Sequence, residues 1–228
     1  MKKGFTLSEV LITLGIVGVV AVLAIPGVMR NYQNRLYTAQ LQKTYAQISD
    51  AIQSIMNDEQ TDDFYETTAG SSTACNAATG VCSQGVGYFL TKYFKNIKTN
   101  CRDAAEPCIS KQTGFYRTMA GTNISRPTGE YYVQTVTGAT IGGSYNPSNN
   151  CTSLLVDVNG LSLPNIAGRD IFAIDIRKNG TLADYASGCN INSAGAAASN
   201  CGANKTSAYE AAAGCLNNVI ESGWKMEY

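Results

Sequence analysis

The sequence predicts an α+β fold: a long N-terminal helix, its first half membrane-spanning and its second half amphipathic, packed on a small antiparallel sheet, with a disulfide-bearing C-terminal region. Three observations carry this. Phe5 to Met29 is a run of 25 residues with a single charge, Glu9. A helical stripe of apolar residues continues beyond that run. The remainder alternates short strand-like runs with turn residues, and all eight cysteines lie there.

The first element follows from length. As a helix, Phe5 to Met29 spans about 37 Å, enough to cross a hydrocarbon core of about 30 Å. Such a run fits a secretory signal peptide cut after Ala24, an ordinary signal anchor, or a prepilin-type signal. Glu9 separates them. A carboxylate in a membrane segment costs a few kcal/mol and is usually functional, whereas a signal peptide gains nothing from one. The plainer alternative is that Glu9, near the start, snorkels to the headgroups.

The second element is the stripe Tyr37, Leu41, Tyr45, Ile48, Ile52 and Ile55, with Gln40, Gln42, Lys43, Gln47 and Asp50 mostly off it. Its steps of three and four residues predict an amphipathic helix packed on its own domain. Asp58, Glu59, Asp62 and Asp63 oppose the helix dipole and should end it. Glu66 to Ala74 reads as loop. Phe89, Leu90, Tyr93, Phe94 and Ile97 predict a second helix over Val86 to Ile97. Strands are expected over Tyr131–Ile141, Leu154–Val158 and Ile171–Ile176. Asn179-Gly180 turns the last into a hairpin returning over Thr181–Tyr185. Ser193 to Asn204 reads as loop, Ser207 to Ile220 as a helix, and Trp224 to Tyr228 as a closing strand.

Composition narrows the chemistry. Lys+Arg and Asp+Glu are both 17, so the net charge is zero and nothing favours nucleic acid, whose binding rests on phosphate neutralisation. The chain has no histidine, which removes Ser-His, Cys-His and His-metal mechanisms together. No phosphate-binding glycine loop is present, and Ser222 with Lys225 has acyl-enzyme spacing without a supporting motif. Six residues separate Cys75 from Cys82 and Cys101 from Cys108, and eleven separate Cys189 from Cys201. Zinc and redox motifs have closer spacings, so disulfides in an oxidising compartment are expected. Eight cysteines allow 105 connectivities. Local pairing would join Cys75–Cys82, Cys101–Cys108 and Cys189–Cys201, leaving Cys151 with Cys215. Charges flanking the apolar run nearly tie, so the cysteines set the expected topology: N-terminus inside, C-terminal domain on the oxidising side.

Lys3-Gly4-Phe5-Thr6-Leu7-Ser8-Glu9, with the apolar run Val10 to Ile25, resembles the class III signal of type IV pilins and type II secretion pseudopilins. The resemblance implies a pilin-like fold, cleavage after Gly4 by a prepilin peptidase, and N-methylation of Phe5. Glu9 matches the family's acidic assembly residue, and Ser8 departs from its usual apolar residue. Related filaments loosen the helix between the positions matching Gly18 and Pro26, which with Gly15 would give it flexibility. The implied division is a leader at 1–4, a membrane segment at 5–29, an amphipathic continuation at 30–60 and an exported α+β domain at 61–228.

The stretch Val156-Asp157-Val158-Asn159-Gly160, with Pro164-Asn165 and Gly168-Arg169-Asp170, also resembles pseudopilin-like proteins with long cysteine-bearing domains. Asp157-Val158-Asn159-Gly160 looks like the start of a calcium loop but lacks the further ligands of an EF-hand. Some major pseudopilins bind calcium, which would make Asp157, Asn159, Asp170 or Asp175 ligands; the competing expectation is an Asx turn closed by Gly160, with no cofactor. The function implied is a non-enzymatic subunit of an envelope filament, foremost a type II secretion pseudopilin, alternatively a pilin for adhesion, motility or DNA uptake. Its partners would be other pilin-like subunits, the prepilin peptidase, a membrane assembly platform and the bilayer. Its place would be the inner (cytoplasmic) membrane, crossed once. A membrane-tethered binding module or hydrolase is the reading of another class and would need a cleft with convergent polar groups.

Overall fold

The computed structural model describes residues 4, 6–186, 200–202 and 204–228. The chain forms two compact units, Met1–Leu36 and Tyr37–Tyr228. Helix α1 runs Leu7–Asp58, a single helix of 52 residues with Pro26 inside it.

In the second unit, α1 buries the predicted stripe. Leu41, Ile48, Ile52 and Ile55 are fully buried and Tyr37 nearly so. Tyr45 is half-buried, edge-on to Trp224 with ring centroids 5.4 Å apart. Asp63 then caps the short 3-10 turn Phe64–Glu66. A small hairpin, β1 (Ala74–Cys75) with β2 (Cys82–Gln84), is closed by the Cys75–Cys82 disulfide.

Helix α2 is Gly85–Tyr93, shorter than the expected Val86–Ile97. Phe94 turns into the core instead, meeting Phe89 edge-on at 5.6 Å. The Asn96 side chain donates to the Leu90 carbonyl at 2.7 Å, satisfying one of the carbonyls a helix end leaves open. The chain beyond becomes strand β3 (Asn96–Lys98).

Strands β4 (Tyr131–Thr135), β5 (Thr140–Asn146), β6 (Cys151–Asp157), β7 (Ile171–Ile176) and β8 (Leu182–Asp184) complete a six-stranded antiparallel sheet in the order β3-β4-β5-β6-β7-β8. The expected single strand over Tyr131–Ile141 is in fact a hairpin bend. Gly138 takes φ +90° between two runs of β-branched residues, which hid the turn. Both faces of the sheet are covered. Val133, Ile141, Leu154, Val156, Phe172 and Ile174 share one core with α1 and α2. Tyr132, Leu155, Ile171 and Ala173 share another with Ile109, Tyr116 and Ile124 of the long β3–β4 connection. Double coverage explains why Leu154–Val156 of β6 and Ile171–Ile174 of β7 read as apolar runs rather than alternating ones. Opposite the large ring of Tyr132 stands Gly142 on β5.

The expected helix over Ser207–Ile220 is two helices, α3 (Ala208–Ala212) and α4 (Cys215–Glu221), broken at Gly214 with φ +81°. The expected closing strand over Trp224–Tyr228 does not form. Trp224 adopts a left-handed backbone, and the Tyr228 hydroxyl donates to the Gly168 carbonyl at 2.5 Å, so side chains hold this segment.

Disulfides join Cys75 to Cys82, Cys101 to Cys108, and Cys201 to Cys215. The last replaces the expected Cys189–Cys201 and Cys151–Cys215 pairs. The break at Gly214 sets Cys215 against Gly168, at the Asp157 end of β6. Cys151 begins β6, six residues and about 20 Å away, far beyond the roughly 7 Å Cα separation a disulfide tolerates. Cys151 is itself disulfide-bonded. Cys189 lies outside the described residues, as does most of Ser193–Asn204.

Candidate functional site

The N-terminal segment places its polar atoms economically. Glu9 sits three residues after Thr6, at the third position of α1, and the two residues form a reciprocal cap. Thr6 N–H and Thr6 Oγ1 each donate to Glu9 Oε2 at 2.8 Å, and Glu9 N–H donates to Thr6 Oγ1 at 3.3 Å. This is the Ser/Thr-x-x-Glu capping box, which satisfies amides that the first helical turn leaves open. One turn on, Thr13 Oγ1 donates to the Glu9 carbonyl at 2.9 Å. In the sequence, the spacing of Thr6 from Glu9 carries the signal for this cap. Gly4 is exposed, with open space around it, and Phe5 lies outside the described residues.

Beyond the cap, Leu11, Ile12, Leu14, Ile16, Val17, Val19, Val20, Val22 and Leu23 are exposed on all sides of the helix. Gly15, Gly18 and Gly27 open gaps on this surface, with nothing within 4 Å of where a Cβ would stand. A helix apolar all round is built for lipid or for other apolar helices, not water. By length and composition α1 is able to cross a membrane.

A second constellation lies where β6 turns into β7. Asp157 ends β6 and Asp170 immediately precedes β7; both are almost wholly buried. Asp157 Oδ1 accepts the Asn159 N–H at 3.3 Å, the expected Asx turn, and Gly160 follows with φ +62°. Asp170 accepts from the Asn165 N–H at 2.7 Å and the Ile166 N–H at 2.6 Å. The Asn159 side chain lies within hydrogen-bonding reach of Asp170. Burial pushes Asp157 well above the carboxylate range and Asp170 adds to it; burial raises Asp170 to about 6. Asp175 is not part of this group. It lies on β7 five residues beyond Asp170, about 16 Å away, accepting from Ser153 Oγ at 2.6 Å and the Ala186 N–H at 2.8 Å.

Asp175 and Asp184 form a separate pair of buried acids. Asp184 accepts from the Gly214 N–H at 2.6 Å and the Asn217 N–H at 2.8 Å, at the start of α4. Burial outweighs these bonds, raising Asp175 to about 6 and Asp184 to about 7, with the charge of Asp175 adding to the latter. The folded chain therefore holds protons that the unfolded chain releases near pH 4. The resulting stability is complete below about pH 4 and is lost as pH rises through 6 and 7. Thermal melts should give a higher Tm at pH 5 than at pH 8, and Asp184→Asn should flatten that fall. A Tm that rises from pH 5 to pH 8 would contradict the assignment.

Residues 1–25 match a protein family described as the prokaryotic N-terminal methylation motif, the prepilin-peptidase signal of type IV pilins and pseudopilins. No curated protein and no solved structure matches the chain.

Proposed function

We propose that this chain is a structural, non-enzymatic subunit of a membrane-assembled filament, most closely a type II secretion pseudopilin. The methylation motif over residues 1–25 carries the reading. The capped Glu9 and the apolar surface of α1 supply its physical mechanism. A prepilin peptidase cuts after Gly4, and Phe5 becomes an N-methylated amine. The segment anchors the subunit in the inner membrane, its second unit on the far side. On assembly the spans of several subunits bundle, and Glu9 leaves Thr6 to pair with the amine of a neighbouring Phe5, because a charge buried in the bundle needs a partner. Head-to-tail contacts then propagate an open filament. Unwinding between Gly18 and Pro26 belongs to this assembled state. Proline removes one helical hydrogen bond and crowds the preceding turn, which marks the place where α1 yields. The pseudopilin choice over a surface pilin is favoured by the resemblance of Val156–Asp170.

Mass spectrometry of the mature N-terminus tests the reading. The expected product starts at N-methyl-Phe5 and has lost Lys2 and Lys3. Finding Met1 intact, or a start at Ile25, in cells with an active prepilin peptidase removes the proposal. Secretion lost on deletion, without loss of surface filaments, distinguishes a pseudopilin from a surface pilin.

A further inference from the structure

The long β3–β4 connection and the β6–β7 turn enclose a cleft of about 700 Å³. The connection contributes Gln112, Phe115, Arg117 and Asn123, and the turn contributes Leu163, Pro164 and Ile166. Backbone bonds tie the two together. Arg117 N–H donates to the Asn165 carbonyl at 3.1 Å, and Ala167 N–H donates to the Arg117 carbonyl at 2.9 Å. The cleft is therefore formed before any ligand arrives, and its size is that of a ligand site.

Its lining divides by chemistry. Arg117 is the only charged side chain in it among the described residues. The Arg117 Nε donates to the Gly114 carbonyl at 3.2 Å, which steadies the guanidinium, and Arg117 enters no ion pair among the described residues. The exposed carboxamides of Gln112 and Asn123 each offer donors and an acceptor. Leu163 is 72% exposed, and Phe115, Pro164 and Ile166 are half-buried. One exposed leucine means little by itself; beside a ring, a proline and a guanidinium without a counter-charge it makes an amphipathic cleft.

Each part selects a ligand group. A guanidinium takes a carboxylate bidentately. A carboxamide matches the N–H and C=O of a peptide group. The aliphatic residues take an apolar side chain, and they offer nothing to the hydroxyls of a saccharide. A C-terminal carboxylate is ordinarily captured by a nest of free backbone amides. Here the amides of Gln112, Phe115, Arg117 and Ile166 are already engaged within the fold, so an acidic side chain is the better fit. In an extended peptide, residues two apart share a face.

We propose that this cleft binds an extended segment of another protein, in which an acidic side chain pairs with Arg117 and an apolar one, two residues away, packs on Phe115 and Leu163. The inference stands apart from filament assembly, which rests on α1.

The test uses the full chain in nanodiscs of phosphatidylcholine and the probe N-acetyl-Leu-Ala-Glu-Ala-Leu-amide, followed by calorimetry. Saturable binding is expected at about 1 mM or tighter. The peptide with Gln in place of Glu should bind about tenfold more weakly or worse, and so should the probe to Arg117→Gln. Leu163→Ser should weaken binding about threefold or more. Both positions are exposed, so each variant should keep its Tm within about 2 °C. No saturable binding up to about 5 mM would overturn the inference. So would equal binding by the Gln peptide or by Arg117→Gln. Equal binding by N-acetyl-Leu-Ala-Gln-Ala-Leu with a free C-terminal carboxylate, or tighter binding of glucuronic acid, would overturn it in favour of a chain end or a saccharide.

Discussion

Replacing Glu9 with Ala should leave the protein in the membrane and leave its filament unmade. Insertion follows the apolar run, which Glu9 opposes, so the membrane-bound amount should hold or rise. Cleavage after Gly4 should largely survive, because the peptidase reads mainly the glycine junction. Removing one partner of a buried ion pair costs about 3–5 kcal/mol, roughly a hundredfold or more in each subunit contact. The geometry at Thr6 gives the conservative variant its meaning. Gln at position 9 can still close a capping box with Thr6, so Glu9→Gln preserves the start of α1 and removes only the charge. It should fail nearly as badly as Ala. Sheared or cross-linked filament, measured beside total membrane-bound subunit, gives the readout. Normal filament from Glu9→Ala at matched membrane levels would leave Glu9 as a snorkelling residue.

The second large effect is expected at Gly142. A Cβ there would lie 2.1 Å from Tyr132 Cδ1 and 2.3 Å from its Cγ. That ring cannot step aside: it is 1% exposed, and its hydroxyl donates to the Thr128 carbonyl at 2.8 Å. Overpacking a full core costs about 1–3 kcal/mol and occasionally more; Gly142→Ala belongs at the upper end. A drop in Tm of roughly 10 °C follows for a domain of this size. Removing the ring should shrink the neighbour's effect. In a Tyr132→Ala background, Gly142→Ala should cost about 1 kcal/mol or less, a coupling typical of residues in contact. Equal costs in both backgrounds would show that the ring is not the obstacle.

These two sites differ in how far the sequence disclosed them. Glu9 was legible because a lone charge in an apolar run has few explanations. The face of α1 from Tyr37 to Ile55 was legible because a period of three and four residues survives any tertiary setting. The pairing of Tyr132 with Gly142 depends on register across a turn at Gly138, which β-branched neighbours disguised. The break at Gly214 likewise redirected Cys215 to Cys201, and no count of cysteine spacings carries that information. Asp157 and Asn159 stood out as a turn motif. The contact of Asn165 with Asp170, five residues on in sequence, is made by backbone amides and so left no mark in the residue types.

The strictly sequential strand order also bears on how the domain is made. From β3 to β8 every strand pairs with its neighbour in the chain, so no pairing waits for a distant segment to be synthesised. From β4 onward each pairing closes a modest loop, and the entropic cost of closure is spread over successive small steps. Contacts that are local in sequence favour fast folding. A chain emerging N-terminus first could therefore lay down β4, β5, β6 and β7 in order, each template complete before the next strand arrives. Helices α3 and α4 come last. Asp184 on β8 receives amides from the start of α4, so this final docking step completes the sheet's far edge. Until it happens, β8 is an edge open to pairing with another chain, and crowded nascent subunits are most exposed to misassembly during that interval.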